Sequence, residues 1–420
     1  MKPRVLVISN NPFSSQSNNG KTYLSLFDSW PKDSIAQIYF NNEEPLKEIT
    51  KHYFNFNKLN DETDFREKST INSKISIKKN IINLLKNSQL VSFIYNFYWS
   101  NKINNNNTVY TFIEEFKPDI IFFVGGKRSY SYKFVNHLKE KYNLPLYLYY
   151  TDDYFVPEKK FNVFMIINNL LFKKEAIKTI SNTECLFVIS EKMKKEYEKK
   201  FNKKCIPIMN SIDLSEYDVE KIKSSDKYLS IGYYGGLHLK RFDTIIKFAR
   251  VIENYNEQNN TFHKVYIYSS SLVNKKMKKI IDEIKCLSYE GCVSSNEIID
   301  SMNNKNTLLF VESFNRNMIN RTRLSLSTKI PEYLAIGKPI IAIGPKESGS
   351  IEYISKLNSS FTITKNNDKA IEKMFNKFLS YPDIFTDAYF EGKEQVKKNH
   401  TKIITQQKIL NEFRITNEKN

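Results

Sequence analysis

The chain has 420 residues, of which 40% are hydrophobic and 14% aromatic, and its formal net charge is +18. The hydrophobic share excludes a globally disordered chain, and the length fits two domains of about 200 residues each. The excess of basic residues indicates an anionic partner, although composition alone does not choose among phosphorylated ligands, an acidic membrane face and nucleic acid.

Cysteines and apolar runs bear on the cellular compartment. The cysteines show neither C-x-x-C spacing nor a paired histidine motif, so neither a zinc site nor a disulfide framework is indicated. They are Cys185, Cys205, Cys286 and Cys292. No segment approaches the roughly 18 apolar residues of a membrane helix, and the apolar run after Arg4 is too short for a signal peptide. We therefore expect a cytoplasmic protein that is soluble or peripheral at the inner face of the membrane.

Short apolar runs alternate with longer amphipathic stretches in both halves of the chain, a pattern typical of α/β domains with parallel sheets. The predicted strands are 4–9, 35–40, 120–124, 146–150 and 185–189 in the first half, and 229–234, 265–268, 307–311 and 339–343 in the second. The alternation predicts two Rossmann-like domains, 1–212 and 228–395, joined by a polar linker at 213–227. Residues 381–420 are predicted to be helical throughout, and 396–420 are expected to pack back towards the N-terminal domain with a buried stripe. That stripe comprises Ile403, Ile404, Ile409, Leu410 and Phe413.

Residues 68–113 interrupt the alternation, because they contain six lysines, an apolar cluster at 90–99 and no acidic residue. A cationic segment with aromatic residues can lie at an anionic membrane surface. The alternative is a surface helix whose aromatic rings pack on the domain and whose lysines are solvated.

Residues 9–22 follow the first predicted strand and end in Gly20-Lys21-Thr22, as the phosphate-binding loop of many nucleotide hydrolases does. That loop requires another glycine five positions before Gly20, where this chain has Ser15. No suitably placed magnesium-binding aspartate follows a later strand. The sequence therefore argues against an ATP or GTP hydrolase.

Residues 327–344 carry the strongest chemical signal. Ser327 and Thr328 open a helix that ends at Gly337 and leads into an apolar strand. The N–H groups at the helix start, with Lys329 beside them, form a site for a diphosphate. Glu332 can accept hydrogen bonds from ribose or sugar hydroxyls.

Two structural roles compete with this chemical role for Glu332. A capping box requires the acid three residues after the cap, and there Ser327 and Thr328 have Ile330 and Pro331. An ordinary helical ion pair between Lys329 and Glu332 stays open.

The same run, of the form Ser-x-Lys-x-x-Glu-Tyr-Leu-Ala-x-Gly-Lys-Pro, resembles the donor-binding signature of family 4 glycosyltransferases. The resemblance implies the GT-B fold, with two Rossmann-like domains facing each other across a cleft. It also implies a nucleotide diphosphate sugar as the donor, a UDP- or GDP-sugar, with Lys329 on the diphosphate and Glu332 on the ribose.

Residues 231–243 resemble the first strand and glycine-rich loop of the nucleotide-sugar domain, where Gly235 and Gly236 permit close backbone approach. Either Lys240 or Arg241 would then meet the donor phosphates, and the sequence leaves both open. Family members often carry a second glutamate eight residues before the first, where this chain has Leu324. Glu312, at a predicted strand end, is a candidate to face the donor sugar.

On the acceptor side, Gly20 resembles the glycine at the start of the family's first helix, and Lys21 follows it. Asp152 and Asp153 come after the strand 146–150. Paired acids can bind Mg²⁺, but GT-B enzymes generally use basic residues and helix N-termini, so the resemblance implies no metal and no cofactor. We interpret one of the two carboxylates as an acceptor-side residue; the alternative is a strand-end aspartate that caps the next turn.

The resulting hypothesis is a retaining, metal-independent glycosyltransferase that acts on a glycan, lipid-linked or protein-linked acceptor in surface polysaccharide or glycoconjugate assembly. Lys329, Glu332 and Asp152 are its predicted catalytic residues, in a reaction that depends on substrate positioning and on charge stabilisation of the leaving diphosphate. One alternative is a nucleotide-sugar epimerase. The other is a non-catalytic protein that binds anionic membranes or nucleic acid, and the absence of zinc-finger, RNP and leucine-zipper patterns argues against nucleic acid.

Overall fold

The computed structural model describes residues 2–15, 18–56, 93–94, 96–99, 107–156, 162–217, 227–294 and 296–417. These residues form two compact units. The first comprises Met1–Ile208 and Gln406–Asn420, and the second comprises Met209–Thr405. Most of the predicted basic segment 68–113, and residues 218–226 of the predicted linker, lie outside the described residues.

The first unit is built on a parallel sheet with helices between its strands. The strands are β1 (Val5–Ser9), β2 (Ile35–Tyr39), β3 (His52–Asn55), β4 (Ile120–Val124), β5 (Leu146–Tyr150), β6 (Leu186–Val188) and β7 (Cys205–Pro207). The described helices are α1 (Asn18–Phe27), α2 (Asn107–Phe116), α3 (Ser129–Tyr142), α4 (Val163–Asn182) and α5 (Glu191–Phe201). The described strands lie in the order β3-β2-β1-β4-β5-β6-β7.

The second unit repeats this plan. Its strands are β8 (Ser230–Tyr234), β9 (Lys264–Tyr268), β10 (Leu287–Gly291), β11 (Thr307–Val311), β12 (Ile340–Ile343) and β13 (Ser360–Ile363), in the order β10-β9-β8-β11-β12-β13. The helices are α6 (Arg241–Asn259), α7 (Lys275–Asp282), α8 (Ile298–Asn303), α9 (Arg316–Thr322), α10 (Lys329–Ile336), α11 (Gly349–Ile354), α12 (Asp368–Leu379) and α13 (Ile384–Asn399). A last helix, α14 (Lys402–Asn417), continues into the first unit.

The inner strands are mostly apolar because helices cover both faces of a parallel sheet. Every residue of β1, β2, β4 and β5 is buried, as is every residue of β11 and β12. The predicted strands are therefore confirmed, and the two parallel sheets confirm the prediction of an α/β protein with two Rossmann-like domains.

The prediction of one continuous helix over 381–420 is wrong at His400 and Thr401, where α13 ends and α14 begins. His400 is buried and binds other residues through both ring nitrogens, and Thr401 pairs with Ile212 in an isolated β-bridge. Of the predicted stripe, Ile409 and Phe413 are buried, whereas Ile403 is 67% exposed. Phe413 packs against Trp30, Phe122 and Tyr147 within the first unit.

Across the described ranges, no helix has both the length and the apolar character that a membrane crossing needs.

Candidate functional site

The strand order of the second unit reverses between β8 and β11, which lie side by side. In open parallel sheets, ligands bind outside the carboxyl ends of the strands at such a switch point. Residues 235–240 follow β8 there, and Glu312 follows β11. The helix α10, which carries Lys329 and Glu332, lies against the same two strands through Tyr333.

The loop after β8, residues 235–240, forms a tight turn. The N–H of Gly235 donates to the carbonyl of Tyr268 at 3.1 Å, and a Cβ on Gly236 would lie 2.3 Å from Nδ1 of His238. Leu239 and Lys240 both adopt left-handed backbone conformations, with φ of 58° and 62°. Such conformations cost a non-glycine residue about 1 kcal/mol or more, so the surrounding hydrogen bonds must hold the loop in place.

Arg241, the first residue of α6, makes a two-point ion pair with Glu312. Its Nη2 lies 3.0 Å from Oε1 of Glu312 and its Nε lies 3.4 Å from Oε2. The two side chains are only 17% and 4% exposed. Burial raises the pKa of the Glu312 carboxyl, and the guanidinium of Arg241 opposes that rise. Arg241 is thus a cation of fixed orientation at the switch point, whereas the side chain of Lys240 is exposed.

Glu312 is therefore a supporting residue in this structure. The sequence analysis proposed that Glu312 faces the donor sugar, but its carboxylate forms an ion pair with Arg241. Sequence reasoning missed this pair, since 71 residues separate its members.

Lys329 and Glu332 contact each other in the first turn of α10. Nζ of Lys329 lies 2.7 Å from Oε2 of Glu332, and the side chains are 27% and 21% exposed. The helical ion pair that the sequence left open is thus present in the structure. Thr328 makes no side-chain cap hydrogen bond, and Oγ of Ser327 accepts from the N–H of Lys329 at 3.3 Å.

Tyr333 fixes α10 to the sheet, a role that sequence reasoning missed. Its hydroxyl accepts from the N–H of Tyr234, at the end of β8, at 3.0 Å and lies 3.4 Å from the carbonyl of Leu309 in β11. On the other side of α10, a Cβ on Gly392 would lie 2.4 Å from the carbonyl of Leu334, so α13 packs in close contact with α10. A buried tyrosine needs a partner for its hydroxyl. A tyrosine within the apolar run of this helix was therefore the sequence feature that could have indicated the contact.

A hydrogen-bonded chain anchors the loop that precedes α10. Asn210 donates from Nδ2 to the carbonyl of Leu326 at 3.0 Å, and His400 Nδ1 lies 2.8 Å from the carbonyl of Asn210. Because a carbonyl oxygen only accepts, Nδ1 of His400 carries the proton, and Nε2 accepts from the hydroxyl of Tyr353 at 2.8 Å. His400 thus supports the loop before α10 through both ring nitrogens.

Further positive charge lies near Arg241. Burial, together with the charges of Arg241 and Arg321, lowers the pKa of His238. Burial and the two guanidinium groups thus favour the neutral form of His238.

In the first unit, Gly20 and Lys21 lie in the first turn of α1, with Gly20 buried and Lys21 exposed. Gln37 supports the loop before this helix, because its Nε2 donates to Oγ of Ser9 at 2.9 Å and its Oε1 accepts from the N–H of Phe13 at 2.8 Å. The turn that exposes Lys21 therefore rests on a buried polar contact.

Asp152 and Asp153 have different surroundings. Asp152 is exposed after β5, and its charge adds to the effects of burial, Tyr154 and Tyr149 that raise the pKa of Tyr23 in α1. The structure thus brings Asp152 close to α1. Asp153 is buried, and its Oδ1 accepts from the N–H of Phe155 at 3.1 Å and from the hydroxyl of Tyr197 at 3.0 Å.

These contacts give Asp153 the capping role that the sequence had left as the alternative. Among the side chains that the structure describes, no group of three or more His, Cys, Asp or Glu residues is arranged to hold a metal ion.

The fold resembles solved structures over nearly the whole chain. A glycosyltransferase from Rickettsia africae is 13% identical, with a TM-score of 0.61 and coverage of 97% of each chain. Sucrose-phosphate synthase from Thermosynechococcus elongatus is 10% identical, with a TM-score of 0.63 and coverage of 99% of this chain and 100% of the other. HepE from Anabaena, solved with UDP-glucose, is 10% identical, with a TM-score of 0.60 and coverage of 98% and 99%.

These likenesses confirm the GT-B fold that the sequence predicts. No family model matches the sequence, and no curated protein matches it.

Proposed function

We propose that the protein is a glycosyltransferase that moves a sugar from a nucleotide diphosphate sugar to a hydroxyl of its acceptor. The observation that carries the proposal is the placement of Arg241, Lys329 and Glu332 around the carboxyl ends of β8 and β11. A diphosphate requires cations and a helix N-terminus at short range, and a ribose requires a hydrogen-bond acceptor. These residues supply all three.

Binding of the donor would exchange one partner of Lys329 for another. In the structure, its ammonium group pairs with the carboxylate of Glu332 at 2.7 Å. A diphosphate at the start of α10 would take over the ammonium group, and the Glu332 carboxylate would then accept hydrogen bonds from the ribose hydroxyls. The ion pair would thus neutralise the Lys329 ammonium group and the Glu332 carboxylate until the donor binds.

Between Lys240 and Arg241, we infer that Arg241 contacts the diphosphate. Its guanidinium has donors beyond the two that face Glu312, and that carboxylate fixes its direction. Lys240 has an exposed side chain on a left-handed residue. A UDP-sugar is the donor to test first, because the HepE structure was solved with UDP-glucose.

We infer a retaining reaction without a metal or other cofactor, in which Lys329, Arg241 and the start of α10 stabilise the charge on the leaving diphosphate. We assign Gly20, Lys21 and Asp152 to the acceptor side. Asp153 is less suited to that role, because its carboxylate already binds Phe155 and Tyr197. A glycan, lipid-linked or protein-linked acceptor would place the enzyme in surface polysaccharide or glycoconjugate assembly in the cytoplasm.

A thermal-shift screen of UDP- and GDP-sugars tests donor binding. A ligand that binds only the folded protein stabilises it by about 2.7 kcal/mol at a hundredfold excess over its Kd. We expect one nucleotide sugar to raise the Tm of the wild type and to lose this effect in Lys329→Ala and Glu332→Ala.

The matched control is Lys356→Ala, which removes another helical ion pair, with Nζ 3.0 Å from Glu352. It should keep the shift. The proposal fails if no nucleotide sugar shifts the wild type, or if Lys329→Ala responds as the control does. Conversion of a bound donor into an isomeric sugar nucleotide without an acceptor would instead identify an epimerase.

A further inference from the structure

The exposed apolar side chains of the first unit are concentrated on two neighbouring segments. Every exposed large hydrophobic side chain that the structure describes in this unit belongs to residues 93–99 or to α4. We refer to them as the apolar face: Ile94, Phe97, Tyr98, Val163, Ile166, Leu170 and Ile177. Single exposed hydrophobic residues are ordinary, but a contiguous group of them marks an interaction surface.

On α4 the apolar face forms a stripe along one side of the helix. Val163, Ile166, Leu170 and Ile177 follow one another at intervals of three, four and seven residues, a spacing that returns to the same side. These side chains are between 45% and 68% exposed. The buried residues of α4 lie on the opposite side and pack within the unit. Packing of the inner side therefore does not explain the outer stripe.

Residues 93–94 and 96–99 lie beside the first half of α4. The ring centroids of Phe93 and Phe164 are 5.9 Å apart, and Nδ2 of Asn96 donates to Oδ1 of Asn168 at 3.0 Å. Phe97, on the same short segment, is 66% exposed. Phe164 and Asn168 face away from the stripe, so this segment flanks α4, and the stripe of α4 is the part of the apolar face that the proposal uses.

The charge beside the apolar face is positive. Lys173 and Lys174 are exposed on α4. The acidic residue of this helix, Glu175, is half-buried, and its Oε2 accepts from Asn136 at 3.3 Å. Two copies of a chain with a net charge of +18 would bring like charges together at this surface. An anionic surface would be attracted to it.

We propose that the apolar face binds an anionic lipid bilayer, with α4 lying in the plane of the interface. The stripe from Val163 to Ile177 would enter the boundary between headgroups and acyl chains, and Lys173 and Lys174 would lie at the lipid phosphates. This inference goes beyond the proposed function, because vesicle binding requires neither donor nor acceptor.

Cosedimentation of the full chain with vesicles tests the proposal. The probes are vesicles of phosphatidylglycerol mixed with phosphatidylcholine, and vesicles of phosphatidylcholine alone. We expect the wild type to bind the mixed vesicles more tightly. The combined variant Ile166→Gln, Leu170→Gln and Ile177→Gln should bind at least about tenfold more weakly, because three apolar side chains leave the interface.

The matched control replaces three exposed apolar residues of the second unit, Phe262, Leu272 and Ile403, with glutamine. It should bind mixed vesicles as the wild type does. Lys173→Gln with Lys174→Gln should weaken binding about tenfold or more and flatten its dependence on salt. All variants change exposed side chains, and circular dichroism melts check that they fold.

Three results would overturn the proposal. The first is a wild type that sediments equally with both kinds of vesicle or with neither. The second is a glutamine variant of the apolar face that binds as tightly as its control. The third is a wild-type dimer that this variant converts to a monomer without any vesicle binding, since the occupant would then be a second copy of the chain.

Discussion

Replacing Glu312 with alanine would leave the guanidinium of Arg241 without its carboxylate inside the second unit. The two side chains are 4% and 17% exposed, so water replaces the lost partner poorly. Removal of one partner of a buried ion pair costs about 3–5 kcal/mol of unfolding free energy. Because Arg241 keeps some access to water, we expect a loss near the lower end, about 3 kcal/mol.

Calorimetry is the suitable assay, because both tryptophans, Trp30 and Trp99, belong to the first unit and their fluorescence would report on that unit. A unit of about 200 residues loses roughly 2–4 °C in Tm for each kcal/mol, so Glu312→Ala should lower the transition of the second unit by roughly 6–12 °C. The control is Glu257→Ala, whose partner Lys285 lies 3.8 Å away on the surface. Its effect should stay within about 1 kcal/mol.

A double variant, Arg241→Met with Glu312→Leu, separates stability from donor binding. Replacement of both members of a buried ion pair with apolar side chains is often neutral or stabilising. We expect the Tm of the double variant to return towards the wild-type value. We also expect that a nucleotide sugar does not raise this Tm. The reasoning is refuted if the second unit of Glu312→Ala has the same Tm as that of the wild type, or if the double variant binds the donor as the wild type does.

Three further outcomes are expected. Tyr333→Phe leaves the buried N–H of Tyr234 without its acceptor and should cost about 1–3 kcal/mol, measured by calorimetry; an unchanged Tm would contradict the support we assign to this hydroxyl. Gly392→Ala should destabilise by about 1–3 kcal/mol through overpacking, whereas Gly126→Ala, which meets nothing within 4 Å, should be neutral in the same melts. Burial lowers the pKa of His263, so the folded state binds fewer protons than the unfolded state, and stability should fall as the pH drops below about 6.5. Urea unfolding at several pH values should show this loss in the wild type and less of it in His263→Gln.

The sequence predicted the inner strands well because each is a short, continuous apolar run between helices. It missed β3, β7, β10 and β13, which are short or only partly buried strands at or near the edges of the two sheets. The runs of β3, β10 and β13 are mixed in polarity, and β7 has only three residues, so these strands lack the apolar signal of a longer strand covered on both faces.

The candidate site was predictable only where its residues share one helix. Lys329 and Glu332 stand three residues apart, so the helical period alone brings their side chains together. The pairing of Arg241 with Glu312 depends on the adjacency of β8 and β11, which no local pattern encodes. The choice between Asp152 and Asp153 depends on the turn after β5, which leaves Asp152 exposed and directs the carboxylate of Asp153 to Tyr197.

The central claim is that the region around Arg241 and the start of α10 binds and turns over a nucleotide diphosphate sugar. The most direct test is to incubate the full chain with each UDP- and GDP-sugar and to measure the nucleoside diphosphate released as the sugar passes to water or to the hydroxyl of an added glycan acceptor. We expect release by the wild type and by Lys356→Ala, and none by Lys329→Ala. No release from any nucleotide sugar by the wild type, or equal release by Lys329→Ala, would contradict the claim.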